Sequence, residues 1–478
     1  VQLTWADYVV IGSYLVAITA FGSWFARFQK TTRDYFLTGR TVPWWAVCCT
    51  IVATETSTLT FIGVPAAAYA GNMTFLQLAF GYVVGRVLIS VLFVPAYFRG
   101  ELVTSYELLQ RRFGAAVTTL SATIFLLTRS LADGVRLFAT ALVIAVVTGI
   151  PVSALVLVLG AAMILYTTRG GVSAVIWTDV VQMFVYIAGA GLVGYALLDR
   201  IDGGWAAVVE AGRAANKFTV VDLSLDPSRP YTLWAGLLGG ATLTLATHGT
   251  DQFLVQRYLA ARSPRAAAAG LVLSGAIVLT QFTGFLVIGV MLYAYYQQTP
   301  LPQPLARTDE ILPLFVVDSL AHGPAGFIIA AIVAAALSPS LNAMAATTVN
   351  DFYVRYWHPA ADQATLMRVA RRATVAWGIV QLAIALAAQW MDQSVLDAGL
   401  AVLSFASGAV LGAFLLGTLL PRATSRAALA GMIAGLIAMT TVWAGTQVAF
   451  TWYVFIGATA TVAVASILSL WTHGEDSW

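Results

Sequence analysis

Residues 53–60, ATETSTLT, interrupt an apolar run at 44–70 that is otherwise long enough to cross a bilayer. Thr54, Glu55, Thr56, Ser57, Thr58 and Thr60 put six hydroxyl or carboxylate side chains within seven positions. One or two threonines in a span can donate back to the carbonyl four residues earlier and leave the helix regular. Six exceed that pattern, so the helix is expected to come unwound here, and unwound backbone inside a membrane is tolerated only where it lines a cavity. A second interruption, TLTLATHGTDQ at Thr242–Gln252, lies five spans further on. Paired interruptions in corresponding places are the pattern of an inverted-repeat transporter, whose cargo sits where the two broken helices meet.

The composition around these stretches makes lipid the solvent. Of 478 residues, 59% are hydrophobic and 10% charged, against roughly 25% charged in soluble domains. A water-soluble globule is excluded. About thirteen apolar runs of spanning length lie near 6–25, 44–70, 75–96, 117–148, 152–167, 175–198, 233–255, 267–296, 324–354, 370–390, 395–419, 426–445 and 452–471. With the N-terminus outside, seventeen basic residues fall in inner loops and five in outer ones, so the positive-inside rule orients the chain N-terminus out and C-terminus in the cytoplasm. The whole chain, 1–478, reads as one transmembrane domain of a cell membrane, plasma or bacterial inner. Repeat one is expected at about 44–198 and repeat two at about 233–419, with peripheral helices at 6–25, 426–445 and 452–471.

Other functions are excluded by what the chain lacks. Its basic residues are scattered and its net charge is only +3, so no nucleic-acid partner is expected. Cys48 and Cys49 are adjacent in an apolar run, which suits packing rather than a disulfide framework or a metal cluster. No phosphate-cradling glycine motif is present, so ATP does not drive the protein and no cofactor is expected. An enzyme built on Glu55, Asp133 and His248 has little support from one histidine, and a sensor would need a signalling domain after Trp471. The N-terminal VQLTWADYVV lacks a signal peptide's basic region and cleavage site, so the first run is expected to remain as a span. Asp309–Leu320 is expected to form a short interfacial helix.

The expected pocket gathers Glu55, Ser57, Thr58 and Thr60 from the second span, Gln77 from the third, Arg136 from the fourth, and Thr244, Thr247 and His248 from the seventh. Arg129, Asp133 and Arg136 share one helix face by their spacing. Asp133 neutralises one arginine; the other needs Glu55 or a substrate carboxylate held in a bidentate fork. A buried Glu55 must be paired, protonated or cation-bound, its candidate partners being Arg86 and Arg136. His248 reads as a hydrogen-bonding wall, with a proton relay as the alternative.

The stretches DYFLTGR (Asp34–Arg40), VPWWAV ending at Val47, TFIG (Thr60–Gly63), GGVSAVIWTDVVQ (Gly170–Gln182), DQFLVQRYLAARS (Asp251–Ser263) and LNAMAATTVNDFY (Leu341–Tyr353) resemble the sodium/solute symporter family, which includes the sodium-glucose cotransporters, and Glu55 departs from the neutral residues usual there in its sugar-carrying members. The resemblance implies an all-α, LeuT-like, five-plus-five inverted repeat with one extra helix before it and two after. It also implies symport of a small solute with Na+, H+ being the alternative ion. By register, the family's sodium carbonyls fall on Ala53, Thr56 and Ile332. Its two hydroxyl positions carry Ala335 and Ala336, so a sodium site here would lean on the Ala335 carbonyl freed by Pro339 and on the displaced Ser338. Asp179 matches an aspartate near a second cation position; the alternative is a solvated carboxylate near the inner face. The expected cargo is a small polar, carboxylate-bearing solute. The alternatives are a sugar-carrying symporter and a cation-independent uniporter or exchanger. Oligomeric state is left open.

Overall fold

A computed structural model describes residues 4–99, 102–301, 304–305, 307–319, 323–336, 340–390 and 395–472. Among them every regular element is a helix, with one isolated bridge between Val42 and Ala261. Among the described residues eight helices are long and apolar enough to cross a bilayer, and the bent pair Trp44–Glu55 and Thr60–Ala70 makes a ninth. Most of the remaining expected spans merge or divide for physical reasons. The 49-residue helix Val152–Arg200 would run about 74 Å if straight, at 1.5 Å per residue, more than twice the hydrocarbon thickness of about 30 Å. It is redirected at Gly171 (φ 58°, ψ −157°), where a Cβ would lie 2.7 Å from the Tyr35 carbonyl oxygen. The fifth and sixth expected spans are its two arms.

The seventh span is built from a π-helical turn, Ala235–Gly239, then Gly240–Gly249 and Gln252–Leu259. The ninth is built from Pro324–Ala336, Leu341–Thr347 and a π-helical stretch, Thr348–Trp357. The helix expected at Asp309–Leu320 exists at Ile311–Ser319, but Ile311 through Val316 are buried. Its apolar side chains therefore meet protein instead of lying at a lipid interface.

Two sets of contacts fix how the broken spans face each other. Val42, just before the second span, donates to Ala260 O at 3.1 Å and accepts from Arg262 N at 3.2 Å, just after the seventh. At the opposite end, Lys217, in the loop before the seventh span, donates its ammonium to Tyr69 O at 2.6 Å near the end of the second. The two spans therefore run antiparallel. The third span is pressed against the seventh backbone to backbone through Gly81 and Gly85 on one side and Gly236 and Gly240 on the other, the small-xxx-small spacing that lets membrane helices approach closely. A Cβ on Gly81 would lie 2.1 Å from Gly236 O. This approach brings Arg86 to both breaks. Gly81→Leu is expected to lower the melting temperature in detergent sharply, because overpacking against backbone costs about 1–3 kcal/mol or more. Gly12→Leu, where nothing lies within 4 Å, is the control that should leave it unchanged.

Candidate functional site

The second span unwinds at Thr56 (φ −80°, ψ 85°) and Ser57 (φ −87°, ψ 173°), between Trp44–Glu55 and Thr58–Ala70. The two arms are bent by 58°. The seventh span breaks at Thr250 (ψ −26°) and Asp251 (ψ 122°), at the end of the threonine run and not in its middle. The reason is local. Thr242 and Thr247 donate to the carbonyls of Leu238 and Leu243 at 2.8 and 2.9 Å and leave the helix regular, whereas Asp251 stops it by capping the next helix at Phe253 N, 2.8 Å away.

Between the breaks lies a cavity of about 120 Å³. Its polar lining includes Glu55, Ser57, Thr60, Arg129, Arg136, Thr244, Thr247 and His248, and its apolar lining Val64, Phe75, Tyr82, Leu243, Phe253 and Phe282. Four arginines surround it, each with a carboxylate. Arg86, fully buried, pairs with Glu55 and lies 3.2 Å from His248 Nε2. Arg129 pairs with Asp251 and Arg136 with Asp133. Arg257 Nη2 lies 3.5 Å from Asp179. The anion that the spare arginine needed is therefore Asp251, an aspartate that sequence reasoning passed over. Asp179 is fully buried and accepts from Thr50 and Thr54 at 2.5 and 3.3 Å, so the solvated-carboxylate alternative fails.

Charge balance does not fill every hydrogen-bonding group. Arg136 Nη1 and Arg129 Nε are buried and have no hydrogen-bond partner. Both side chains line the cavity. Buried donors normally find acceptors, and leaving one unmet costs about 1–3 kcal/mol.

Two expected pocket residues point elsewhere. Gln77 donates its amide to Thr74 O and Tyr231 O at 3.2 and 3.0 Å and accepts from Asp222 N at 3.0 Å. It fastens the loop before the seventh span and does not line the cavity. Thr58 turns away too, donating to Ile332 O at 3.1 Å and accepting from Thr140 at 2.8 Å. That bond sets the unwound stretch that follows Ala53 and includes Thr56 against the ninth span at Ile332. Thr56 Oγ1 accepts from Gln281 Nε2 at 2.8 Å. Ala335 lies in the last turn of the helix Pro324–Ala336, while Ser338 lies outside the described residues. Ser340, two residues further on, donates to Asp133. The sequence reading also missed Phe253, whose place directly after the DQ of a span break was its one available signal.

The sodium:solute symporter family model matches residues 35–435. The chain belongs to the sodium:solute symporter family. This symporter is 30% identical to the sodium/sialic acid symporter of Proteus mirabilis over 96% of its own length and 94% of the relative's. It is 31% identical to the human sodium/iodide cotransporter over 90% of its own length and 68% of that protein. Among solved structures, the substrate-bound outward-open state of a Na+-coupled sialic acid symporter superposes with a TM-score of 0.92 at 29% identity, covering 98% of both chains. The protein is thus a multi-pass membrane transporter with the inverted-repeat fold, coupled to Na+, and not an enzyme. Sialic acid and iodide, named for two relatives at 30% and 31% identity, show that identity at this level does not select the solute.

Proposed function

We propose that this symporter uses an inward Na+ gradient to take up a small carboxylate-bearing organic solute, held between the two broken spans with its carboxylate on Arg136. The carrying observation is the buried, unpartnered Nη1 of Arg136 at the cavity wall. A guanidinium offers parallel N–H donors suited to a carboxylate. Ser57, Thr60, Thr244, Thr247 and His248 supply the polar wall for the rest of the solute, and Phe75, Tyr82 and Phe282 the apolar one. Glu55 is neutralised by Arg86, which is the office a coupling proton would otherwise fill, and this favours Na+ over H+. Sodium is assigned to the carbonyls of Ala53, Thr56 and Ile332, with Ala335 and Ser338 as further ligands, a reading supported by the Thr58 hydrogen bond that joins the second span to Ile332. A second cation position is assigned beside Asp179. The broken spans' antiparallel course supports repeats at about 44–198 and 233–419, and the loop charges support an outside N-terminus and a cytoplasmic C-terminus.

The test is uptake of radiolabelled N-acetylneuraminate, pyruvate and glucose into proteoliposomes under an inward Na+ gradient and in choline. Na+-dependent accumulation of either acid, but not glucose, is the expected outcome. Glucose uptake alone, or acid uptake indifferent to the gradient, would replace this reading with the sugar carrier or the uniporter.

A further inference from the structure

Three arginines converge on one ring. The guanidinium carbons of Arg257, Arg129 and Arg136 lie 4.2, 4.6 and 5.7 Å from the centroid of Phe253, within the range over which a cation is drawn to an aromatic face. Phe253 is buried, lines the cavity, and follows the break of the seventh span by two residues. The three arginines belong to different arrangements. Arg129 and Arg136 are on the fourth span, while Arg257, four residues beyond Phe253, reaches Asp179 of the sixth span and Thr54 of the second, its Nε donating to Thr54 at 2.9 Å.

An aromatic face holds a guanidinium differently from any hydrogen-bond acceptor. A carboxylate or amide grips the edge of the plane and consumes N–H donors; a ring attracts the cation and leaves those donors available. This is the pattern observed, since Arg136 keeps Nη1 and Arg129 keeps Nε without a partner although both are buried. Each arginine has one aspartate to balance its charge, and the ring supplies attraction beyond that.

We propose that Phe253 is the positioning residue of the cargo site: its ring π-face holds Arg129 and Arg136 toward the cavity and ties them to the arginine that bridges the second and sixth spans. The assignment deepens the carboxylate reading and rests on it for the cargo, but the hub itself can be tested without any solute. The side chain at 253 is replaced by phenylalanine carrying one, two or three ring fluorines, which drain the negative face while keeping the shape. Thermal unfolding in detergent, with no solute added, is expected to show the melting temperature falling with each fluorine, with a shallower slope in Arg136→Gln. A flat series, or one with the same slope in wild type, Arg136→Gln and Arg129→Gln, overturns the hub.

Uptake of N-acetylneuraminate and pyruvate is then measured across the same series. Half-saturation is expected to rise at least threefold by the third fluorine while the maximal rate and the half-saturating Na+ stay within twofold, and Phe253→Trp is expected to keep wild-type half-saturation. Parallel losses in all three parameters would make Phe253 a packing residue and refute its positioning role. A stepwise melting series with no uptake of either acid by the wild type would leave the hub standing and remove the carboxylate reading.

Discussion

Arg136→Gln is expected to raise the half-saturating concentration of a carboxylate solute about a hundredfold, with the maximal rate reached only at high solute. Two hydrogen bonds from a charged donor to a carboxylate contribute together about 3 kcal/mol, and each 1.4 kcal/mol is tenfold. Arg136→Lys keeps the charge but loses the planar fork, and should cost about tenfold. The fold should survive, because Asp133 retains Arg129 at 3.7 Å, Gln381 at 3.3 Å and the Ser340 hydroxyl. Sodium binding should survive as well, since the Ile332 contact belongs to Thr58 and not to Arg136. Stabilisation by Na+ alone, followed as a melting shift in sodium against choline, is the internal control. An unchanged half-saturation in Arg136→Gln would take Arg136 out of the cargo site.

Glu55→Ala should be the most damaging single change to stability. It strands the Arg86 guanidinium, fully buried and already without partners at Nε and Nη1, and breaking a buried pair by removing one member costs about 3–5 kcal/mol. The expected result is little folded protein in the membrane. Glu55→Gln keeps an acceptor for Arg86 and should be milder. The double variant Glu55→Leu with Arg86→Met removes both charges and should recover most of the loss, since apolar replacement of a whole buried pair is often neutral. Thermal unfolding of the four proteins measures this. A Glu55→Ala protein as stable as wild type would mean that the pair does not hold the breaks together. If Glu55 carried a coupling proton, Glu55→Gln would abolish the pH dependence of uptake while leaving its Na+ dependence; retained Na+ coupling with an unchanged pH profile is expected.

The fold was legible wherever polarity collided with lipid. The cluster at Thr54–Thr60 exceeds what back-bonding can absorb, and there the helix opens. In the seventh span the break falls at the C-terminal end of the interruption read at Thr242–Gln252. Thr242 and Thr247 found the carbonyls four residues back, and Asp251, a better helix cap than any threonine there, ended the helix instead. The charged residues themselves were readable from the sequence, and Arg86 stood among the two candidate partners of Glu55, but the pairing of Arg129 with Asp251 was not. Arg136 with Asp133 follows from helical spacing, whereas Arg129 with Asp251 joins the fourth span to the seventh and Arg86 with Glu55 the third to the second, contacts between helices that no single-helix pattern reveals. Gln77 misled for a similar reason: a polar residue at the mouth of a span served the adjoining loop and not the cavity.

The pairing of charges around the breaks bears on how the membrane potential acts. Glu55, Arg86, Asp251 and Arg257 sit on the second, third and seventh spans and sum to zero with His248 neutral; Arg129, Arg136, Asp133 and Asp179 sit on the fourth and sixth and do likewise. The eight charges around the breaks therefore add no net charge to either group as it crosses the field, which acts on each elementary charge with about 2.3 kcal/mol per 100 mV. Voltage should therefore leave reorientation of the empty carrier nearly untouched and fall on the steps in which sodium enters or leaves.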